Sequence, residues 1–140
     1  MVIDTREQRG FKFIWIESVR KGLKTGDYSL VGFEDRVAVE RKSKSDGYGV
    51  VGSGRARFER ELVRLAVLDR AAIVIECSLH EFCVPPARTR IDQRMAVNSF
   101  ISWSCTYRIP VFWCGSREYA EQVTLRFLTS YLKHCAEVAL

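Results

Sequence analysis

Apolar and polar residues alternate in short runs along the first part of the chain and in longer periods along the rest. Short apolar runs between polar or glycine-containing turns predict a meander of antiparallel strands. These predicted strands cover residues 1–4, 27–31 and 37–42, with a strand or loop at 11–16. Two later runs, at 71–75 and 110–114, predict further strands, and the first is apolar enough to be covered on both faces.

Helical periodicity is clearest at residues 55–68, where apolar residues recur at spacings of three and four. A second helix is predicted at about 92–107 with Asp92 as its cap, and a third from Ser116 to about residue 134 or beyond. The glycines between residues 43 and 54 predict a mobile loop or a frayed helical turn. This order of elements predicts an α/β fold with a mixed sheet between helices.

Composition narrows the class of protein. The chain has 140 residues, which is the size of one domain, and it has no apolar run near the ~20 residues that span a bilayer. The N-terminus lacks a signal-peptide pattern, so we expect a cytoplasmic protein, or a nucleoid or nuclear one if the host is eukaryotic. The five cysteines lack metal-ligand spacing and the two histidines stand alone, which argues against a zinc site or a disulfide framework.

Candidate chemistry lies at the ends of the predicted strands. Alternate residues of a strand share a face, so Glu40 and Lys42 project to one side of the strand at 37–42, with Asp27 expected on the neighbouring strand. Carboxylates and an amine in this arrangement can hold a hard divalent cation and orient a water against a phosphodiester. Taken singly, each residue could equally be a surface or turn residue, but together they predict a metal-dependent nuclease.

The joint motif is more specific than its parts. Residues 4–7 (DTRE), Gly26-Asp27 and residues 40–46 (ERKSKSD) occur in that order, each at the end of a predicted strand. This resembles the nuclease domain of the XPF-type structure-specific endonucleases, whose hallmark is GD, a spacer and ERKxxxD. The resemblance covers residues 1–79 by motif, and the rest is compatible with one such domain over 1–140. It implies a restriction-endonuclease-like mixed sheet flanked by helices.

The resemblance also implies roles for the matching residues. Asp27 and Glu40 would be the primary Mg²⁺ ligands, and Asp4 a further ligand, directly or through water. Lys42 would lie against the attacking water or the scissile phosphate, and Asp46 would be catalytic or positional. Mn²⁺ is expected to substitute for Mg²⁺.

Four further residues have other expected roles in this scheme. The backbone carbonyl of Arg41 is a candidate metal ligand, while its guanidinium is expected to fix a carboxylate. Arg6 and Glu7 match other family positions near the first strand, with Arg6 expected to contact DNA and the role of Glu7 open. Glu76 ends a buried strand, where either a structural ion pair or a catalytic role would satisfy it.

Basic residues cluster beside the candidate site. One cluster lies on the predicted helix at 55–68: Arg55, Arg57, Arg60 and Arg64. A second consists of Arg88, Arg90 and Arg94. With a net charge of +5 and a neighbouring phosphodiesterase motif, phosphate contacts to DNA are favoured over a merely solvated surface.

The predicted function is a Mg²⁺-dependent DNA endonuclease that cuts near single-strand/double-strand junctions, in flap or fork DNA. The resemblance implies products with 5′-phosphate and 3′-hydroxyl ends. XPF-type enzymes commonly append helix-hairpin-helix modules, which are absent here, so the domain either works alone or relies on a partner or second copy for its grip. An apolar arc over residues 92–135 is consistent with a homodimer interface or with an intramolecular core.

Two other readings stay open. The chain could be a catalytically silent DNA-binding or dimerisation module of the same fold, although its acidic and lysine positions are all present. It could also be a metal-binding regulatory domain that contacts only protein.

Overall fold

The computed structural model describes residues 1–139. It consists of a six-stranded mixed sheet with helices on both faces. The sheet order is β2-β1-β3-β4-β5-β6. The strands are β1 (Val2–Ile3), β2 (Val19–Arg20), β3 (Tyr28–Ser29), β4 (Val37–Lys42), β5 (Arg70–Ile75) and β6 (Val111–Trp113). The helices are α1 (Lys44–Val51), α2 (Arg55–Val67), α3 (Leu79–Phe82), α4 (Gln93–Tyr107) and α5 (Arg117–Ala139). The predicted fold class is confirmed, and the last residue of the predicted domain, Leu140, lies outside the described residues.

Strand direction decides which residues meet at one edge of the sheet. β3 pairs antiparallel with both β1 and β4, whereas β4, β5 and β6 run parallel. The carboxyl ends of β1, β4, β5 and β6 therefore lie at the same edge as the amino end of β3. Asp4 and Asp27 flank this edge, and the amide of Asp4 donates to the Asp27 carbonyl at 2.9 Å. We call it the site edge.

Two hydrophobic cores, one on each face of the sheet, fix the orientation of β4. Ala38 belongs to the core under α1, α2 and α4, together with Phe58 and Phe100. Val37 and Val39 belong to the core under α5. Because side chains alternate along a strand, Glu40 and Lys42 share the α2 face with Ala38, and Arg41 projects to the α5 face.

The glycine-rich segment differs from its prediction. Residues 44–51 form the helix α1, capped by Ser43, whose hydroxyl accepts a hydrogen bond from the Asp46 amide. Gly47 is buried, and a Cβ at this position would lie 2.9 Å from Cε2 of Phe82. Gly47 is thus a glycine because of close packing. Of the two alternatives predicted for 43–54, the mobile loop is wrong, and the helical one is extended to a helix of eight residues.

Two short elements were not predicted, and the segment 11–16 takes the loop form of its two predicted alternatives. β2 and α3 are two and four residues long, too short for a periodic signal. The segment 11–16 forms no strand; Phe11 and Phe13 turn inward against Tyr28, and Phe13 has a positive φ of 39°.

The remaining helices follow their predictions. Asp92 caps α4 by accepting a hydrogen bond from the Arg94 amide, and the hydroxyl of Ser116 accepts one from the Tyr119 amide at the start of α5. In the apolar arc of α4 and α5, Phe100 and Leu128 are fully buried within the chain, so much of the arc is intramolecular core. No helix within residues 1–139 has the length and apolar character needed to cross a membrane.

Candidate active site

The antiparallel pairing of β3 and β4 brings Asp27 beside Glu40 at the site edge. The Asp27 amide donates to the Val39 carbonyl at 2.9 Å. Two residues further along β4, the Arg41 amide donates a hydrogen bond to the Asp27 side chain, at Oδ2 and 2.8 Å, rather than to a backbone carbonyl. The two carboxylates are close enough that the charge of Asp27 raises the pKa of Glu40.

Glu40 is the most constrained acid of the site. It is 3% exposed, and its Oε1 accepts a hydrogen bond from Lys42 Nζ at 2.9 Å. Its Oε2 is buried and has no hydrogen-bond partner within residues 1–139. Burial and the neighbouring Asp27 raise the pKa of Glu40 well above its usual range. A buried carboxylate oxygen without a donor, next to a second carboxylate, fits a hard divalent cation.

The pKa values of Asp27 and Lys42 are also shifted, as expected for buried charges next to Glu40. Burial raises the pKa of Asp27 to about 6, opposed by the Arg41 amide and reinforced by the charges of Glu7 and Glu61. Burial lowers the pKa of Lys42, but Glu40, Asp27 and Glu61 outweigh it, so that the pKa of Lys42 lies above its ordinary value. Without a bound cation, Lys42 is therefore an ammonium ion at neutral pH.

A cleft of roughly 500 Å³, here called the site cleft, opens beside Lys42. Asp46 lines it from the first turn of α1 and is exposed, while Arg57 and Glu61 line it from α2. Glu61 was missed as a site residue. Its position on α2, next to the sheet-facing residues Phe58 and Leu62, was the signal that could have found it, because α2 packs over the strand that carries Glu40.

Asp4 lies at the same edge, but both of its carboxylate oxygens are engaged. Oδ1 accepts a hydrogen bond from the Leu23 amide at 2.9 Å, and Oδ2 accepts one from Arg6 Nε at 2.7 Å. These contacts hold the segment between β2 and β3 and orient Arg6. The prediction of Asp4 as a metal ligand stays a prediction, as does that of the Arg41 carbonyl.

Arg6 stands at the rim of the site. Its side chain is 71% exposed, and its guanidinium also donates to the Leu23 carbonyl at 3.0 Å. Its pKa is raised chiefly by Asp4, and also by Glu61 and Asp27, which places its charge near the site. This position is compatible with the predicted contact to a DNA phosphate.

On the opposite face of β4, Arg41 lies at the centre of a partly buried ionic network. Its Nε and Nη2 donate to Glu7 at 2.8 and 3.0 Å, and its Nη1 donates to Glu76 at 2.9 Å. Tyr28 donates its hydroxyl to Glu7 at 2.7 Å, and Arg117 donates to Glu76 at 2.7 Å. Glu76 thus forms the ion pair that was one of its two predicted roles, and the catalytic alternative stays a prediction. The network ties the segment after β1 to β4, β5 and α5, behind the candidate metal ligands.

Removal of one charge from this network is expected to destabilise the fold. Glu7→Gln should lower the free energy of unfolding by about 3 kcal/mol, because Arg41, whose side chain is only 15% exposed, loses its bidentate partner. Urea denaturation measures this loss. The matched control is Glu59→Gln, which removes the half-exposed partner of Arg55 and should cost less than about 1 kcal/mol. Equal losses in the two variants would contradict a buried, structural role for Glu7.

The arginines of α2 divide into two groups. Arg55 stacks over Trp103 at 4.9 Å and donates to the Ser99 hydroxyl at 3.0 Å, so its guanidinium is committed to the packing of α2 on α4. Arg57, Arg60 and Arg64 are exposed. These three are the most accessible cations of α2 for contacts with phosphates, and a DNA contact by Arg55 stays a prediction.

The donor set for a metal is small. Within residues 1–139, no three His, Cys, Asp or Glu side chains are grouped as a ready-made metal site. Mg²⁺ keeps several waters and is often bound through one or two carboxylates plus substrate phosphates. Asp27 and Glu40 supply that minimum.

The site edge of the mixed sheet thus carries Asp27, Glu40 and Lys42 side by side, as the ERKxxxD motif predicted. The sequence profile of the ERCC4 domain matches residues 3–127. The chain therefore belongs to the ERCC4 domain family, and its resemblance to XPF-type nuclease domains is confirmed.

Solved structures agree with this assignment. XPF from Aeropyrum pernix matches with a TM-score of 0.75 and 23% identity, over 99% of this chain and 67% of that one. XPF from Aeropyrum pernix in complex with DNA matches with a TM-score of 0.73 and 23% identity, over 94% of this chain and 64% of that one. The chain thus spans about two thirds of the length of these structures. Comparison with curated proteins gave no significant match.

Proposed function

We propose that this chain is a divalent metal-dependent endonuclease that hydrolyses phosphodiester bonds of DNA. The observation that carries the proposal is the buried Oε2 of Glu40, which lacks a partner within residues 1–139 and lies beside Asp27. Membership in the ERCC4 domain family supports it, because this is a family of nucleases. The intact acid and lysine positions favour an active enzyme over a silent module.

Asp27 and Glu40 would hold the cation. Mg²⁺, or Mn²⁺ in its place, supplies Lewis-acid activation of the scissile phosphate and of the attacking water. Two ionised carboxylates in a buried position repel each other, and a bound cation removes that repulsion. The hydrogen bond from the Arg41 amide fixes the orientation of Asp27, so the ligands are arranged before the substrate arrives.

Lys42 would stabilise the negative charge that develops on the phosphate. Its Nζ lies 5.0 Å from the centre of the Phe58 ring and 2.9 Å from Glu40, so its position is fixed from two sides. The raised pKa of Lys42 favours this electrostatic role over that of a proton acceptor. Asp46 and Glu61 line the same cleft and would position waters around the cation.

DNA is the proposed partner, and Arg6, Arg57, Arg60 and Arg64 its proposed phosphate contacts. The printed title of one similar structure describes XPF from Aeropyrum pernix in complex with DNA. Cleavage near single-strand/double-strand junctions, products with 5′-phosphate ends, and a homodimer through residues 92–135 are further parts of the proposal.

Phosphate contacts predict a definite dependence on salt. The double variant Arg57→Gln/Arg60→Gln should weaken DNA binding and reduce the slope of log affinity against log salt by up to about 2, because each phosphate contact contributes about 0.9. Fluorescence anisotropy in Ca²⁺ at several salt concentrations measures this slope. Arg70→Gln is the control, since Arg70 is exposed at the opposite edge of the sheet. An unchanged slope in the double variant would exclude both arginines from the DNA contact.

The experiment that tests the proposed function is incubation of the purified chain with flap, fork, bubble and plain duplex DNA. Cleavage near the junction in Mg²⁺ or Mn²⁺, abolished by EDTA, is the expected result. Binding in Ca²⁺ without cleavage in either metal would support the silent-module reading instead. If the chain neither binds nor cleaves any of these DNAs, the remaining reading is a regulatory domain that contacts only protein.

A further inference from the structure

Gly49 in α1 has no packing reason to be glycine. Gly47 needs it because a Cβ would meet Phe82 at 2.9 Å, and at Gly52 a Cβ would lie 3.1 Å from Ile91. Around Gly49, apart from its chain neighbours and the backbone of α1 itself, no atom of residues 1–139 lies within 4 Å of the position of a Cβ, and its φ is not in the left-handed region. Glycine inside a helix is unfavourable relative to nearly every other residue. The cost at Gly49 is therefore not offset by anything within the described chain.

Gly49 separates two clefts on the surface. The site cleft beside Lys42 lies on one side and is lined by both Ser45 and Gly49. A second cleft of roughly 300 Å³, here called the loop cleft, lies between α1 and the segment 86–91 and is lined by the same two residues. The two clefts are thus separated only by the small side chain of Ser45 and the backbone of Gly49.

The loop cleft has the chemistry of an anion site. Arg88 lines it together with the hydroxyl-bearing residues Ser45, Ser53 and Thr89. Arg88 is exposed, forms no ion pair within residues 1–139, and holds a left-handed φ of 66° without being glycine. Such backbone strain is concentrated at functional positions. On the other side of Gly49, the cations Lys42 and Arg57 line the site cleft together with the acids Asp46 and Glu61.

We propose that the site cleft and the loop cleft form one continuous groove for a single strand of DNA, whose sugar-phosphate backbone crosses α1 at Gly49. The inference rests on the proposed function and adds the path of the strand to it. The strand would run from the Asp27–Glu40 site over Gly49 to Arg88, where a hydroxyl-lined, cationic surface meets its phosphates. A side chain at position 49 would close this path, which explains the glycine.

The test uses the variant Gly49→Gln, which fills the groove with a neutral side chain. Its melting temperature should rise by about 2–4 °C, because glutamine is the better helix former. Its affinity for a fluorescein-labelled oligo(dT) strand, measured by anisotropy in Ca²⁺, should fall about tenfold or more, with a smaller change for a hairpin duplex. Ala66→Gln adds the same group on the exposed face of α2 at the far end of the sheet, and should leave both affinities unchanged.

Each other outcome overturns the inference in its own way. If Gly49→Gln melts higher and binds the strand like the wild type, the groove is not used. If Gly49→Gln has a lower melting temperature than the wild type, the fold itself requires glycine at position 49, and the glycine is no evidence for a groove. Equal losses for strand and duplex overturn the single-strand path. If the wild-type chain binds neither probe, the proposed function fails, whereas strand binding by the wild type with an unaffected variant refutes the groove alone.

Discussion

Glu40→Gln is expected to reduce Mg²⁺-dependent cleavage of a forked substrate by a factor on the order of 10³ or more. Glutamine has nearly the shape of glutamate, and its amide oxygen can still accept the hydrogen bond that Lys42 donates to Glu40 at 2.9 Å. What it removes is the negative charge of the buried oxygen that has no partner within residues 1–139. Single-turnover kinetics at saturating enzyme measure the loss without a contribution from product release.

The fold of this variant should be unaffected. In EDTA at pH 8, Glu40→Gln should unfold at the same temperature as the wild type or slightly higher, because a buried charge beside Asp27 has been removed. Glu76→Gln is the contrast, since it breaks an ion pair on the other face of β4 and should lower stability. Wild-type cleavage by Glu40→Gln would remove Glu40 from the chemistry.

The stability of the metal-free protein is expected to fall as the pH rises from about 4 to above 6. Asp27 has its pKa raised from 3.8 to about 6 by burial, and burial together with the charge of Asp27 raises the pKa of Glu40 well above its usual range. A carboxyl whose pKa is higher in the folded state stabilises the fold while it is protonated, and that contribution is lost as the pH passes through the folded value. For Asp27 alone the loss amounts to at most about 3 kcal/mol.

Comparison with a double variant isolates this effect. Asp27→Asn/Glu40→Gln should flatten the decline between pH 4.5 and 7, measured by urea denaturation in EDTA. Acids with lowered pKa values, such as Asp4 and Glu7, lose their contribution only as the pH falls through values below their usual range, outside this window. Mg²⁺ should restore stability at pH 8 more than at pH 5, because it binds the ionised carboxylates. Identical pH profiles for the wild type and the double variant would show that Asp27 and Glu40 do not cause the decline in stability.

The sequence was most informative where an element is long or a motif is dense. β4 has six residues, so its period of two correctly placed Glu40 and Lys42 on one face and Arg41 on the other. α2 has thirteen residues, and its apolar stripe gave its bounds within one residue. The ERKxxxD motif indicated the family from the sequence alone.

Other features depend on contacts that no local pattern encodes. Two glycines with the same sequence signal, Gly47 and Gly49, differ because one faces Phe82 and the other faces open space. The motif predicts Asp4 as a metal ligand, but it gives no sign that the Leu23 amide and Arg6 donate hydrogen bonds to its two carboxylate oxygens. Glu61 reaches the site only because α2 packs across β4, which is a tertiary relation.

Anomalous diffraction from crystals grown with Mn²⁺ tests the central claim most directly. A cation held by Asp27 and Glu40 predicts an anomalous peak within about 2.0–2.3 Å of an oxygen from each carboxylate, and no peak there in crystals of Glu40→Gln. If the crystals cleave a soaked DNA substrate while the only anomalous peak lies away from both residues, the proposed site is wrong.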